Sequence, residues 1–174
     1  MLRGAWPLAS AGSLANGTYS SAVDVPAVRY VHTDEGVSLA YAVFGSGPPL
    51  LYAFAGPALS NFEHEWSHLG LVDQYEAMAE ERTLVRFDWR NCGLSTRHVN
   101  DVSPAAHVRD LLALQDHLGF ERVALRLHGS ASIALRYAAT HPDRVSSLIL
   151  SSPSVVLGSP DQAPSAVGRL LAIG

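Results

Sequence analysis

Hydrophobic and polar positions change period several times along the chain, and each change marks an element. Residues 28–32 and 37–44 are short strand-like runs on either side of Asp34-Glu35-Gly36. That turn has the length of a three-residue hairpin loop, with a glycine able to take positive φ, so the two runs predict a hairpin. Gly45-Ser46-Gly47-Pro48-Pro49 is a second turn, and 50–55 is a continuous apolar run of strand length, as expected of a strand buried on both faces. Residues 60–80 read as helix, interrupted near Gly70, and 83–87 as a strand that ends before Asp88. Ser103-Pro104 is a helix start, a serine cap with proline at the first helical position. Val108, Leu111, Leu112 and Leu118 follow at helical spacing until Gly119 supplies the stop. Strand 123–127, helix 134–140 (stopped by Pro142) and strand 145–150 complete the series, and 167–173 has the look of a further helix start.

A hairpin followed by alternating strands and helices predicts an α/β fold. The sheet should be mostly parallel, with an antiparallel pair at its N-terminal end and helices on both faces. Ligands of such sheets sit beyond the carboxyl ends of the strands, so the loops after Ala55, Asp88, Leu127 and Leu150 are the places to look for chemistry. Residues 1–26, rich in Ala, Ser and Gly, read as a disordered leader. Arg3 and Ala9-Ser10-Ala11 give them only a faint resemblance to a secretion signal, since Pro7 breaks the apolar stretch. The expected organisation is therefore leader 1–26, core 27–153, and a loop with the possible start of a cap helix at 154–174.

Composition narrows the function classes. At 174 residues the chain has the size of one domain, and 48% hydrophobic against 16% charged residues excludes disorder for the chain as a whole. A net charge of −4 gives no nucleic-acid footprint. The single cysteine, Cys92, excludes an internal disulfide framework. No apolar run is long enough to span a membrane, and the expected location is cytoplasmic. All 12 basic residues are arginine, so a lysine Schiff base is excluded. No cofactor is expected.

Three features in order carry a family resemblance. Ala55-Gly56 follows the first buried strand. Asp88-Trp89-Arg90-Asn91-Cys92-Gly93-Leu94-Ser95 resembles a D-x-R-G-x-G-x-S turn, with Asn91 in place of the first glycine. Arg122 to Val145 resembles a strand, a nucleophile elbow, a helix ending in Thr140-His141-Pro142-Asp143-Arg144, and the next strand. Together these resemble the N-terminal portion of the α/β-hydrolase superfamily, from about Tyr30 to Pro153. The likeness is closest to bacterial members found beside nucleotide-cyclase and helix-turn-helix regulator modules, a subgroup that Trp66 also fits. The resemblance implies hydrolysis of an ester, amide or similar bond in a small substrate, with an oxyanion loop at Gly56, Pro57 and Ala58.

The elbow departs from that pattern. It needs a nucleophile flanked by small residues on a tight strand-to-helix turn. Here the segment is Leu127-His128-Gly129-Ser130-Ala131-Ser132-Ile133-Ala134. Counting back from the helix puts His128 at the nucleophile position, and counting forward from the strand puts Gly129 there. Ser132, with Ser130 and Ala134 as small flanks, and Ser130 itself are the nucleophile candidates. The plainer reading is that both serines cap the helix. Pro57 stands where the oxyanion loop needs a backbone N–H, and proline has none, although a one-residue shift would bring in Ala58. The family's acid and histidine come from later strands, and the sequence stops at Gly174 with no histidine after His141. The chain therefore reads as a truncated or degenerate hydrolase with an incomplete triad.

Two further patterns need weighing. His64-Glu65-Trp66-Ser67-His68 matches the helical zinc motif H-E-x-x-H, in which two histidines on one helix face hold the metal and the glutamate is the base. No third histidine follows, the candidate third ligands Glu76, Glu80 and Glu81 all lie on the same expected helix, and chance is the preferred explanation. Cys92, Asp88 and Arg90 read as structural residues of their turn, and Trp89 either lines the site mouth or covers the sheet. The alternatives to a hydrolase are a non-catalytic ligand-binding or regulatory module and, at the far end, a zinc hydrolase through His64, Glu65 and His68. The expected partners are a small-molecule ligand and a second copy meeting the open edge of strand 145–150, with no nucleic acid and no membrane.

Overall fold

Apolar residues alternate along the central strands so that these feed two cores, one on each face of a single sheet. The computed structural model describes residues 27–54, 60–67 and 71–151. The expected leader 1–26, the segment 154–174 and the oxyanion loop Gly56, Pro57 and Ala58 lie outside the described residues. The elements are β1 (Arg29–His32), β2 (Ser38–Phe44), β3 (Pro49–Ala53), α1 (Phe62–Ser67), α2 (Val72–Ala79), β4 (Thr83–Phe87), α3 (Pro104–His117), β5 (Val123–His128), α4 (Ala131–Thr140) and β6 (Val145–Ser151). A 3-10 turn, Pro142–Arg144, joins α4 to β6.

The six strands form one sheet in the order β1-β2-β4-β3-β5-β6. The predicted hairpin is present: β1 and β2 are antiparallel with Val31 opposite Leu39, and Gly36 takes φ 76° in the turn. β2 then pairs antiparallel with β4, while β4, β3, β5 and β6 run parallel. Leu51, Ala53, Val85, Phe87, Leu125 and Leu127 point to the face covered by α3 and α4, where Val108, Leu111, Leu114, Ile133 and Tyr137 complete the core. Leu50, Tyr52, Leu84 and Ala124 point to the other face, which receives Phe62 and Trp66 of α1 and Tyr75 of α2. This second core is largely aromatic: Trp66 stacks on Phe44 with centroids 5.5 Å apart and on Tyr75 at 5.9 Å. Helices thus cover both faces, as the sequence predicts.

Two expectations need adjustment. α4 begins at Ala131 and not at Ala134, so the helix reaches one turn closer to β5 than the apolar spacing suggests. Of the two serines expected to cap it, Ser130 occupies the N-cap position without making a side-chain capping bond, and Ser132 lies inside the first turn. α3, in contrast, is capped as predicted: Ser103 Oγ accepts from the Ala106 N–H at 3.2 Å, with Pro104 at the first helical position. No described helix is long and apolar enough to cross a membrane.

Candidate functional site

At the carboxyl end of the parallel strands, a buried polar hub holds the β4–α3 turn. Asp88 is fully buried. Its Oδ1 accepts from the Phe62 N–H at 2.9 Å, Ser60 Oγ at 3.1 Å and Arg86 Nη2 at 3.2 Å, and its Oδ2 accepts from the Leu94 N–H at 2.9 Å. One carboxylate therefore ties the start of α1 to the turn after β4. Gly93 passes so close that an added Cβ would lie 1.9 Å from Asp88 Oδ2. Asn91, which replaces a glycine of the motif, takes φ 65°, a conformation that asparagine tolerates better than most residues. Its side chain exchanges two 2.7 Å bonds with the backbone of Val99. Arg90 forms a bidentate pair with Asp110, both bonds 2.7 Å, and also reaches the Asp101 carbonyl and Glu35. Trp89 is wholly buried against Phe87 and His107, so it belongs to the core and not to a site mouth. Burial also pushes the Cys92 thiol up, away from a reactive thiolate.

The zinc-like segment has another use. Asn61 Oδ1 accepts from the His64 N–H at 3.0 Å, and Glu65 Oε1 accepts from the Asn61 N–H at 3.1 Å, a reciprocal capping of α1. Glu65 is turned inward, 1% exposed, and accepts from Arg86 Nε at 2.7 Å, from Arg86 Nη2 at 2.5 Å and from Tyr75 OH at 2.5 Å. Burial and the adjacent carboxylate hold the Tyr75 hydroxyl protonated, well above its ordinary range. His64 is exposed on the opposite side, and His68 lies outside the described residues. The glutamate that would act as a base is thus the counterion of a buried arginine. Among the described residues no three metal-binding side chains converge.

The strand-to-helix turn after β5 is where a nucleophile would stand. His128 ends the strand, its ring stacked on Phe54 at 5.5 Å. Gly129 then takes φ 71° and donates its N–H to the Ser151 carbonyl at 3.0 Å, fastening the turn to the end of β6. This left-handed residue between strand and helix is the strained position of such a turn, and glycine occupies it. Ser130 follows, 3% exposed, its Oγ without a hydrogen-bond partner. Ser132 is half-buried one residue into α4. His141, at the far end of that helix, bonds Thr140 Oγ1. An open cavity of about 400 Å³ lies between the first turns of α3 and α4, lined by Arg90, Val102, His107, Gly129, Ser130 and Ile133 among others.

A family model for the alpha/beta hydrolase fold matches residues 50–172. The chain belongs to that family. Its relatives include a proline iminopeptidase of Heyndrickxia coagulans, 30% identical over 112 residues, a match spanning 63% of this chain and 36% of the relative. A hydrolase from Pseudomonas aeruginosa superposes with a TM-score of 0.62 at 25% identity, over 87% of this chain and 54% of that one. An epoxide hydrolase from Vigna radiata, in a mutant form, superposes with a TM-score of 0.60 at 27% identity, over 83% and 44%. The chain therefore spans between about a third and a half of these α/β hydrolases. β5 and α4 span the segment that the sequence likens to the family's strand, elbow and helix, and the β4–α3 turn carries the D-x-R-x-x-G-x-S residues. The sequence pattern alone does not reveal His107 at this cavity or the pairing of Glu65 with Arg86. Their signal is weak, since a histidine or a charge on an otherwise apolar face declares its partner only once the sheet order is known.

Proposed function

We propose that this chain is a degenerate α/β hydrolase whose turn after β5 binds a small molecule without attacking it. The observation that carries this reading is Gly129 in the left-handed position of the turn, where the fold needs its nucleophile. Hydrolysis of an ester or related bond is the family activity from which it departs, in keeping with relatives named proline iminopeptidase and epoxide hydrolase. Neither serine beside the turn stands in the left-handed position, and neither is hydrogen-bonded to a histidine among the described residues. A serine hydroxyl without a base is a weak nucleophile. The ligand is a small molecule held at the turn, and a second copy of the chain meets the outer edge of β6.

A second reading keeps the enzyme, with Ser130 as nucleophile, because its buried hydroxyl has no hydrogen-bond partner. Intact-mass labelling with a fluorophosphonate separates the two, using the folded wild-type chain and the Ser130→Ala and Ser132→Ala variants. No adduct is expected on any of the three. A single adduct lost in one variant would overturn the ligand-binding reading and identify the nucleophile.

A further inference from the structure

The cavity between the first turns of α3 and α4 contains more hydrogen-bond donors than the protein uses. Ser130 Oγ and His107 Nδ1 are both buried and unpartnered, on residues only 3% and 2% exposed that line the cavity from α4 and α3. The first bonds of α4 run from the Ile133 and Ala134 N–H groups to the Ser130 carbonyl. The N–H groups of Ala131 and Ser132 thus precede the helical ladder, at the positive end of the helix dipole.

We propose that this cavity binds a small organic carboxylate with a short apolar body. The proposal deepens the ligand-binding reading above by naming the ligand class. A carboxylate only accepts hydrogen bonds, and the unused groups here can donate: the two N–H groups, the Ser130 hydroxyl and, in its Nδ1–H tautomer, His107. The one guanidinium lining the cavity, Arg90, has its N–H groups committed to Asp110, Asp101, Glu35 and Ala106. The site therefore offers a helix terminus and neutral donors, which suit a single negative charge better than a phosphate dianion. Val102, Pro104 and Ile133 supply the apolar wall.

His107 gives the site a pH signature. Burial, helped by the positive charge of Arg90 and opposed by Asp101, pushes the ring down to about 4, so it is neutral near pH 7. From its own helix Asp110 Oδ2 comes to 3.9 Å of Nδ1, too far for a hydrogen bond, and the Trp89 indole lies edge-on at 5.0 Å. A bound anion adds a negative charge beside this ring, so binding raises the pH at which His107 titrates and is accompanied by proton uptake.

The test is a ¹H–¹⁵N titration of the full chain with sodium isobutyrate, and in parallel with the uncharged isobutyramide. Isobutyrate is expected to saturate, to shift the amides of Ser130, Ala131 and Ser132, and to raise the titration point of the His107 ring. Isobutyramide should bind at least about tenfold more weakly, as expected when a charge-assisted hydrogen bond is lost, and Ser130→Ala should weaken isobutyrate by a similar factor. Val102 is 52% exposed at the rim, so its substitution leaves the core intact. Val102→Glu should weaken isobutyrate and Val102→Arg should strengthen it. Equal binding of acid and amide, shifts elsewhere, or indifference to the charge at position 102 would each overturn the proposal. None of these readouts depends on serine labelling.

Discussion

Glu65 and Arg86 illustrate how strongly single residues are fixed here. Both are almost completely buried and are joined by two hydrogen bonds, from Arg86 Nε and Nη2 to the Glu65 carboxylate. Removing Glu65 leaves the buried Arg86 with only its longer 3.2 Å ion pair to Asp88 among the described residues, and breaking a buried pair typically costs about 3–5 kcal/mol. Glu65→Ala is therefore expected to lower the urea midpoint sharply or prevent folding. His64→Ala, at an exposed position, should leave the midpoint nearly unchanged, and adding zinc should stabilise neither variant. A zinc-dependent rise in wild type lost in His64→Ala would restore the metal reading. His107 adds a pH term. Its ring titrates at about 4 in the folded chain against an ordinary 6.5, so the unfolded chain binds the extra proton first as pH falls. Its contribution to stability is complete above 6.5 and lost progressively as pH falls towards 4. Urea midpoints of wild type and His107→Gln, compared between those limits, should converge on acidification. Parallel curves would show that the ring titrates normally.

The helix starts offer a comparison at the level of elements, because two serines in equivalent sequence positions do different things. Ser103 caps α3 through its hydroxyl, so Ser103→Ala should cost about 1 kcal/mol. Ser130 stands at the start of α4 with its hydroxyl buried and unpartnered, so Ser130→Ala should be neutral or slightly stabilising. Denaturant midpoints of the two variants measured side by side check both, and an equal loss would show that Ser130 caps after all. From the sequence, both were serines before a helix. What separates them is the entry of the chain: Ser103 arrives extended, with ψ 155°, whereas Ser130 follows the tight turn at Gly129, with ψ 36°, and its hydroxyl makes no capping bond. Strand identity and order of elements were legible because apolar runs, Gly36, Gly119 and Pro142 punctuate the chain. The elbow register was not, since it depends on which residue takes positive φ, and both His128 and Gly129 fit the count. The partner of Glu65 was equally hidden. It becomes visible only when β4 is known to lie beside β2 and β3, which turns Arg86 towards α1.

At the scale of the whole molecule the two faces of the sheet are unequal at β6. Leu148 and Leu150 pack against the core beneath α3 and α4, whereas Ile149, beside Arg126 in the parallel register, is 45% exposed on the other face. Among the described residues β6 pairs only with β5, and its outer edge has no strand partner there. The strand, Val-Ser-Ser-Leu-Ile-Leu-Ser, carries no charge and no proline, the two devices that most often block edge-to-edge pairing. A second copy can add its own β6 to this edge and cover Ile149 at the same time. Sedimentation velocity over a range of concentrations is expected to show a monomer–dimer equilibrium. Ile149→Lys should shift it to monomer without lowering the denaturant midpoint, because the side chain is half-exposed in one copy and a lysine on an edge strand opposes pairing. Dimerisation that survives Ile149→Lys would move the contact away from this edge. A fall in midpoint for the monomeric variant would mean that Ile149 is covered from within its own chain.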